Sequence, residues 1–186
     1  FVGGLAVLAT ITLIFFYLAY VVMPLFKGAE LTAKPAQSPA WLQDGSQPLL
    51  LAVEEQNQIG LRISAAGEVL FFSVKSGAEL KRSHLPLPAG TQITTLQQGQ
   101  PGSALVVVGL SNGQALVLHH AYKASYPDGQ KVITPELEFP YGDTPLQLDP
   151  EGRALEHINL SLHEDSLILA GSSGAQLYVL SLLKEE

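Results

Sequence analysis

The chain opens on an uncharged apolar run, Phe1 to Phe26, whose only polar groups are Thr10, Thr12, Tyr17 and Tyr20. A helix rises ~1.5 Å per residue, so a run of this length reaches roughly 39 Å and exceeds a ~30 Å hydrocarbon core. The pattern predicts a transmembrane helix over residues 1–26 in contact with membrane lipid. Threonine hydroxyls can bond back to the carbonyls of the preceding turn, so neither Thr10 nor Thr12 leaves an unsatisfied group in lipid. Phe15, Phe16, Tyr17 and Tyr20 crowd the second half, where amphipathic rings suit the headgroup level. Met23-Pro24 then supplies a breaker and Lys27 a snorkelling cation, placing the exit near residue 26. A cleavable signal peptide would have a shorter apolar region ending in small residues, and a soluble core helix would carry a polar face. This run has neither feature.

Residues 27–48 are rich in Ala, Pro, Gln and Ser without an apolar period, which describes an extended linker. Trp41 is its one large apolar group, expected to cap the edge of the following domain rather than rest on the membrane surface. From residue 49 the pattern changes to short β runs divided by Gly, Asn and Ser. Strands are expected over 49–54, 58–64, 68–74 and 79–83, then 91–96, 104–109, 114–121 and 131–139, and finally 155–160, 166–170 and 175–182.

These runs repeat. Gly67-Glu-Val-Leu70, Gly113-Gln-Ala-Leu116 and Gly174-Ala-Gln-Leu177 each open a strand after a turn, 46 and 61 residues apart. The longer interval contains a polar insertion around Tyr122 to Gln130. The preceding runs also match, Leu105-Val-Val-Val-Gly109 against Leu167-Ile-Leu-Ala-Gly171. About 40 to 50 residues per four-stranded unit is the period of a β-propeller blade, and strands apolar throughout suit burial on both faces between blades. The expected fold is one transmembrane α-helix followed by an all-β domain, an incomplete β-propeller-like array with about three blades visible. The blades would be residues 49–90, 91–153 and an incomplete 154–186. A ring of the typical four to eight blades needs more. The chain also starts inside its own apolar run, so it reads as an early slice of a longer protein.

Composition narrows the function. The formal net charge of −7 lies wholly after the span, and an acidic body repels phosphate backbones, which disfavours nucleic acid. There is no cysteine, hence no disulfide, thiolate nucleophile or cysteine metal site. Lys27 and Lys34 flank only one side of the span and do not decide its orientation.

Candidate chemistry is sparse. Gly109-Leu-Ser111-Asn-Gly113 fits the nucleophile-elbow expression with His119 and His120 downstream, but an elbow needs a strand entering a helix, and here a second β run follows a turn. His119 and His120 are adjacent on a strand and face opposite ways, so they cannot share a metal. His157 and His163 are expected to bracket a turn near Glu164 and Asp165, in solvent rather than in a site. Asp143, Asp149, Glu151 and Glu156 form an acidic loop without the alternating ligand spacing of a calcium site, which reads as solvated surface. Asn159-Leu-Ser161 is a glycosylation sequon, and Gly3, Ala6 and Thr10 put small groups on one helix face where another span can approach. No catalytic, cofactor-binding or metal residues are assigned, and no enzyme is expected.

An apolar span reading Leu13-Ile-Phe-Phe-Tyr-Leu-Ala-Tyr-Val-Val-Met-Pro-Leu-Phe26, followed at once by a propeller-like insert, resembles the N-terminal part of the phosphate-specific ABC transporter permease. The similarity is to its long form, in which a large periplasmic domain lies between the first two spans. The resemblance implies a bacterial inner-membrane protein with the β domain in the periplasm. The implied partners are a second permease subunit, a cytoplasmic ATPase and a periplasmic phosphate-binding protein. The β domain would then dock partners or regulate rather than catalyse. The alternative is a single-pass, propeller-bearing envelope scaffold or sensor.

Overall fold

A computed structural model describes residues 2–26, 28, 39–42, 47–163 and 166–183. The chain divides into two compact units, residues 1–36 and 37–186. In the first, helix α1 runs from Val2 to Val22 and tightens into a 3-10 turn over Met23–Phe26, where Pro24 withholds a backbone N–H. Thr10 Oγ1 donates to the Ala6 carbonyl and Thr12 Oγ1 to the Leu8 carbonyl, each at 2.9 Å, so both hydroxyls are satisfied within the helix. Every side chain from Gly3 to Phe26 is exposed, and this stretch is long and apolar enough to cross a membrane. Lys27, Lys34 and most of the expected linker lie outside the described residues.

The second unit is all β. Strands β1 (Pro48–Val53), β2 (Ile59–Ser64), β3 (Glu68–Ser73) and β4 (Glu79–His84) form an antiparallel sheet in chain order. Strands β5 (Ile93–Gln98), β6 (Leu105–Leu110), β7 (Gln114–Ser125) and β8 (Val132–Glu138) form a second, with the short β9 (Leu146–Gln147) added beside the start of β7. Strands β10 (His157–His163), β11 (Ser166–Ser173) and β12 (Gln176–Leu183) form a third, and none of the sheets closes into a barrel. All eleven expected strands occur. The two-residue β9 has no counterpart in the sequence reading, being too short to carry a pattern. The polar insertion is an extension of the β7–β8 hairpin, since Tyr122 to Ser125 stay paired with residues 132–135 and only the tip turns.

Alternate side chains bury on opposite faces of a strand, and the sheets stack through those rows. Leu61, Ile63, Val69 and Phe71 of the first sheet pack against Val106, Val108, Leu116 and Leu118 of the second. The opposite face of the second sheet sends Leu105, Val107, Ala115 and Val117 against Ile158, Leu160, Leu167 and Leu169 of the third. The middle sheet is therefore buried on both faces, as its unbroken apolar strands require. On the far face of the first sheet Trp41 is a cap, as expected from the sequence. Its ring lies 4.7 Å from that of Phe72, its Nε1 donates to the Gly77 carbonyl at 2.8 Å, and its carbonyl accepts from buried Arg62 at 3.1 Å. Gly60 makes room for this arrangement, because a Cβ there would come within 2.3 Å of Phe72.

Two expectations are corrected. Gly67 and Gly113 close three-residue turns in the left-handed region and are followed directly by a strand, which puts Leu70 and Leu116 on the same face of their sheets. The third turn has only two residues, Gly174 and Ala175, so its strand starts one residue later and the row flips. Leu177 points outward, 71% exposed, while Tyr178 and Leu180 face the second sheet. His157 and His163 do not bracket a turn but occupy the two ends of β10. Six residues at ~3.3 Å each hold them roughly 20 Å apart. Glu164 and Asp165 lie outside the described residues.

The flipped row has a measurable consequence. Leu169→Ala, at a fully buried position, should lower unfolding free energy by about 2–5 kcal/mol in a denaturant titration. Leu177→Ala should stay within about 0.5 kcal/mol of the parent. Equal losses at both would refute the face assignment.

Candidate functional site

The inward rows of the first two sheets end in polar residues. On β1 the alternation Leu50, Ala52 continues to Glu54 just past the strand, and on β7 Leu116, Leu118 continues to His120 and Tyr122. These side chains meet at one end of the intersheet core, around a cleft of about 480 Å³ lined by Val53, Glu54, Gln98, Ala104, His120 and Tyr122 among others. Glu54 is buried, and its carboxylate accepts from the backbone N–H of Gln56 at 2.6 Å and of Gln58 at 2.8 Å, bracing the turn into β2. Asn57 in that turn and Ala104 on the opposite wall both adopt positive φ, 56° and 51°. The Ala104 carbonyl accepts from the His120 backbone N–H at 3.1 Å, which fixes the strained residue to the β7 wall.

His120 is only 5% exposed, and among the described residues neither ring nitrogen has a hydrogen-bond partner. Its ring meets Tyr122 edge-on at 5.5 Å, and Tyr122 in turn meets Phe71 edge-on at 6.2 Å. The Tyr122 hydroxyl is also buried without a partner. Each such group costs about 1–3 kcal/mol relative to a satisfied one. Burial, helped by His119, pushes the His120 pKa down to about 4, and burial, helped by the charge of Glu54, pushes that of Tyr122 up to about 12. At neutral pH the cleft therefore presents a neutral imidazole and a neutral phenol beside the Glu54 side chain. His119 faces the other way, with Nδ1 3.1 Å from a Glu138 carboxylate oxygen.

The remaining sequence candidates fall elsewhere. Ser111 sits in the β6–β7 turn, where its Oγ accepts from the Gln92 backbone N–H at 3.1 Å and its own N–H donates to the Gln92 carbonyl at 3.0 Å. β7 carries the chain away from that turn, so six residues separate Gln114 from His120, roughly 20 Å at ~3.3 Å per residue. Ser111 and the histidine pair do not form a catalytic arrangement. Of the acidic loop, Asp143 and Glu151 are exposed but Asp149 is fully buried, which corrects the reading of that loop as solvated throughout. Asp149 accepts from Arg153 Nε and the Glu151 backbone N–H, each at 2.8 Å, and its own N–H donates to the Gly113 carbonyl at 2.9 Å. Arg153 also reaches Gln176 and Tyr178, so the loop staples the β6–β7 turn to the third sheet. The Arg153 guanidinium holds the Asp149 pKa down to about 2. Asn159 lies on β10 and its Oδ1 accepts from the Leu160 backbone N–H. Among the described residues no group of three His, Cys, Asp or Glu is placed to hold a metal ion.

Sequence reasoning missed the cleft. The available signal was the continuation of two apolar rows into Glu54 and into His120 and Tyr122. Reading them as rows of facing sheets would have joined residues 66 positions apart.

No family model matches this sequence. No curated protein matches it either. Among solved structures it aligns with the computationally designed Ika4 protein at 15% identity, over 86% of this chain and 100% of that one, with a TM-score of 0.34.

Both perturbed groups set a pH dependence. His120 titrates near 4 in the fold against about 6.5 unfolded, so the unfolded chain binds the extra proton between those values and stability should fall as pH drops from about 6.5 to 4. His120→Phe should flatten that part of the curve in denaturant titrations at stepped pH. The Asp149 pKa is displaced in the same direction, downward, but in a carboxyl group that favours the charged form. Its contribution is complete above the ordinary carboxylate value of 3.8 and is lost as pH falls through about 2. A carboxyl-detected NMR titration should give a midpoint near 2 for Asp149, and one near 4 would contradict the Arg153 pairing.

Proposed function

We propose that the chain is a membrane-anchored periplasmic segment of an ABC transporter permease subunit, serving inorganic phosphate uptake. In this reading α1 crosses the inner membrane, and the three stacked sheets are blades of a propeller-like body that docks partners or regulates rather than catalysing. The observation that carries it is the combination of an apolar, fully exposed N-terminal helix with antiparallel sheets stacked face to face through recurring apolar rows. Among the described residues, apolar side chains on the outer face of the third sheet are also left uncovered. Ile168, Leu177, Val179 and Leu183 are exposed there, in the rows that in the first two sheets receive the next sheet. Sheets of this kind gain their stability from neighbours, which suits a larger propeller whose loops make protein contacts. Phosphate as cargo rests on the resemblance of residues 13–26 and of the layout alone.

Orientation is tested with the chain's own chemistry. The protein contains no cysteine, so Asp143→Cys in an exposed loop is a unique label site. In intact cells a maleimide that does not cross the inner membrane should label it, and labelling only after lysis would overturn the periplasmic placement. Reading the coding sequence past Glu186 separates the two classes. The permease reading expects more sheets and then further spans, whereas a stop with no second span would favour a single-pass scaffold or sensor.

A further inference from the structure

The cleft between the first two sheets contains more hydrogen-bonding capacity than the fold uses. Among the described residues, two buried polar groups at its floor, the His120 ring and the Tyr122 hydroxyl, have no partner. Glu54 beside them spends one acceptor position of each oxygen on a backbone N–H, which leaves a second position on each. Among the described residues, the lining includes Glu54 and Glu55 and no lysine or arginine, the nearby Lys131 being bonded to the Gln56 side chain at 2.8 Å. Such a wall repels anions and offers acceptors. An aromatic face at the same place adds attraction for a cation. Ala104 in its wall is held at positive φ, a cost the fold bears at this cleft.

We propose that this cleft binds an ammonium or guanidinium group, with Glu54 providing the charge, His120 and Tyr122 accepting N–H donors, and the Tyr122 ring covering the cation. At about 480 Å³ the cleft is of the size that holds a small organic ligand or a single inserted side chain. The cationic group therefore comes either on a free amine or at the tip of a Lys or Arg of a docked protein. The site is independent of Ser111 and of the Asp149–Arg153 staple. It needs neither the membrane nor phosphate, so its test does not depend on the transport reading.

The test uses the full chain in detergent with isotope-labelled His and Tyr, observed by NMR at neutral pH during titration. The probes are agmatine, N-acetylarginine amide and, as the anion control, acetate. A cationic probe should move the His120 and Tyr122 ring signals saturably in the millimolar range or below, and acetate should not. Tighter binding of agmatine identifies a free amine as the source, and tighter binding of the arginine amide identifies a side chain. Tyr122→Phe, which keeps the ring, and Glu54→Gln, which keeps one carbonyl acceptor, should each weaken binding at least about tenfold. If Glu54→Gln loosens the turn, Tyr122→Phe decides alone. No shift with either cation, equal shifts with acetate, or unchanged affinity in Tyr122→Phe would overturn the proposal.

Discussion

The β unit depends on the middle sheet being buried from both sides. Leu105 to Leu110 are all buried, with odd and even positions feeding two different cores. A strand in that position has no solvent face, so neither polar alternation nor a bulky exception is tolerated. Gly109 shows how tight the constraint is. A Cβ there would lie 2.6 Å from Thr95 and 3.1 Å from Leu155, the residue that leads the chain into the third sheet. The Thr94 hydroxyl bonds the Leu155 carbonyl at 2.6 Å and lies 3.2 Å from the Gly109 carbonyl, and Leu155 N–H donates to Leu110 at 3.2 Å. The crossing that lets one sheet serve two cores is thus fixed by hydrogen bonds as well as by packing.

Polar residues at the two ends of this stack are treated differently. At the end of the β6–β7 turn, buried Asp149 has a guanidinium, a backbone donor and a place against Gly113, where a positive φ disfavours a side chain and a Cβ would meet Asp149 and Arg153 at 3.0 Å. At the other end His120 and Tyr122 are buried with nothing to bond. Buried polar groups are ordinarily paired, and networks left partly satisfied are costly. The contrast within one small fold separates the two: the Asp149 cluster holds elements together, whereas the His120 cluster holds capacity in reserve.

Much of the architecture was legible because its signals are local. Turn glycines and apolar runs located each of the eleven longer strands, and the back-bonding of Thr10 and Thr12 follows from helix geometry alone. Trp41 as a cap was also legible, as the one large ring in a polar linker. What stayed hidden needed partners distant in sequence. The Leu177 reversal follows from a turn one residue shorter, invisible to a motif that counts from glycine to leucine. Asp149 looked like one of four loop acids until the fold brought it against Gly113 and Arg153. The cleft joins the end of β1 to β7, and Glu54 meets His120 and Tyr122 only once two apolar rows far apart in sequence are set on facing sheets.

The two outer faces of the stack differ. Over the middle strands of the first sheet, Trp41 covers Phe72 and lies 5.6 Å from the Arg62 guanidinium, so this buried cation is met by an aromatic face, the Trp41 carbonyl and the Glu68 carboxylate at 3.8 Å. The equivalent face of the third sheet has no such cover among the described residues, and Leu177 and Val179 are 71% and 65% exposed. An Arg at the position of Ile168 or Ala170 would have argued for a second aromatic lid. Small and branched apolar residues argue instead for the kind of surface that the two existing intersheet cores are made from, because alternating aliphatic rows are what Leu105, Val107, Ala115 and Val117 present to their neighbour. The asymmetry follows from side-chain chemistry on each face: one is sealed by an indole over a cation, and the other presents bare aliphatic rows.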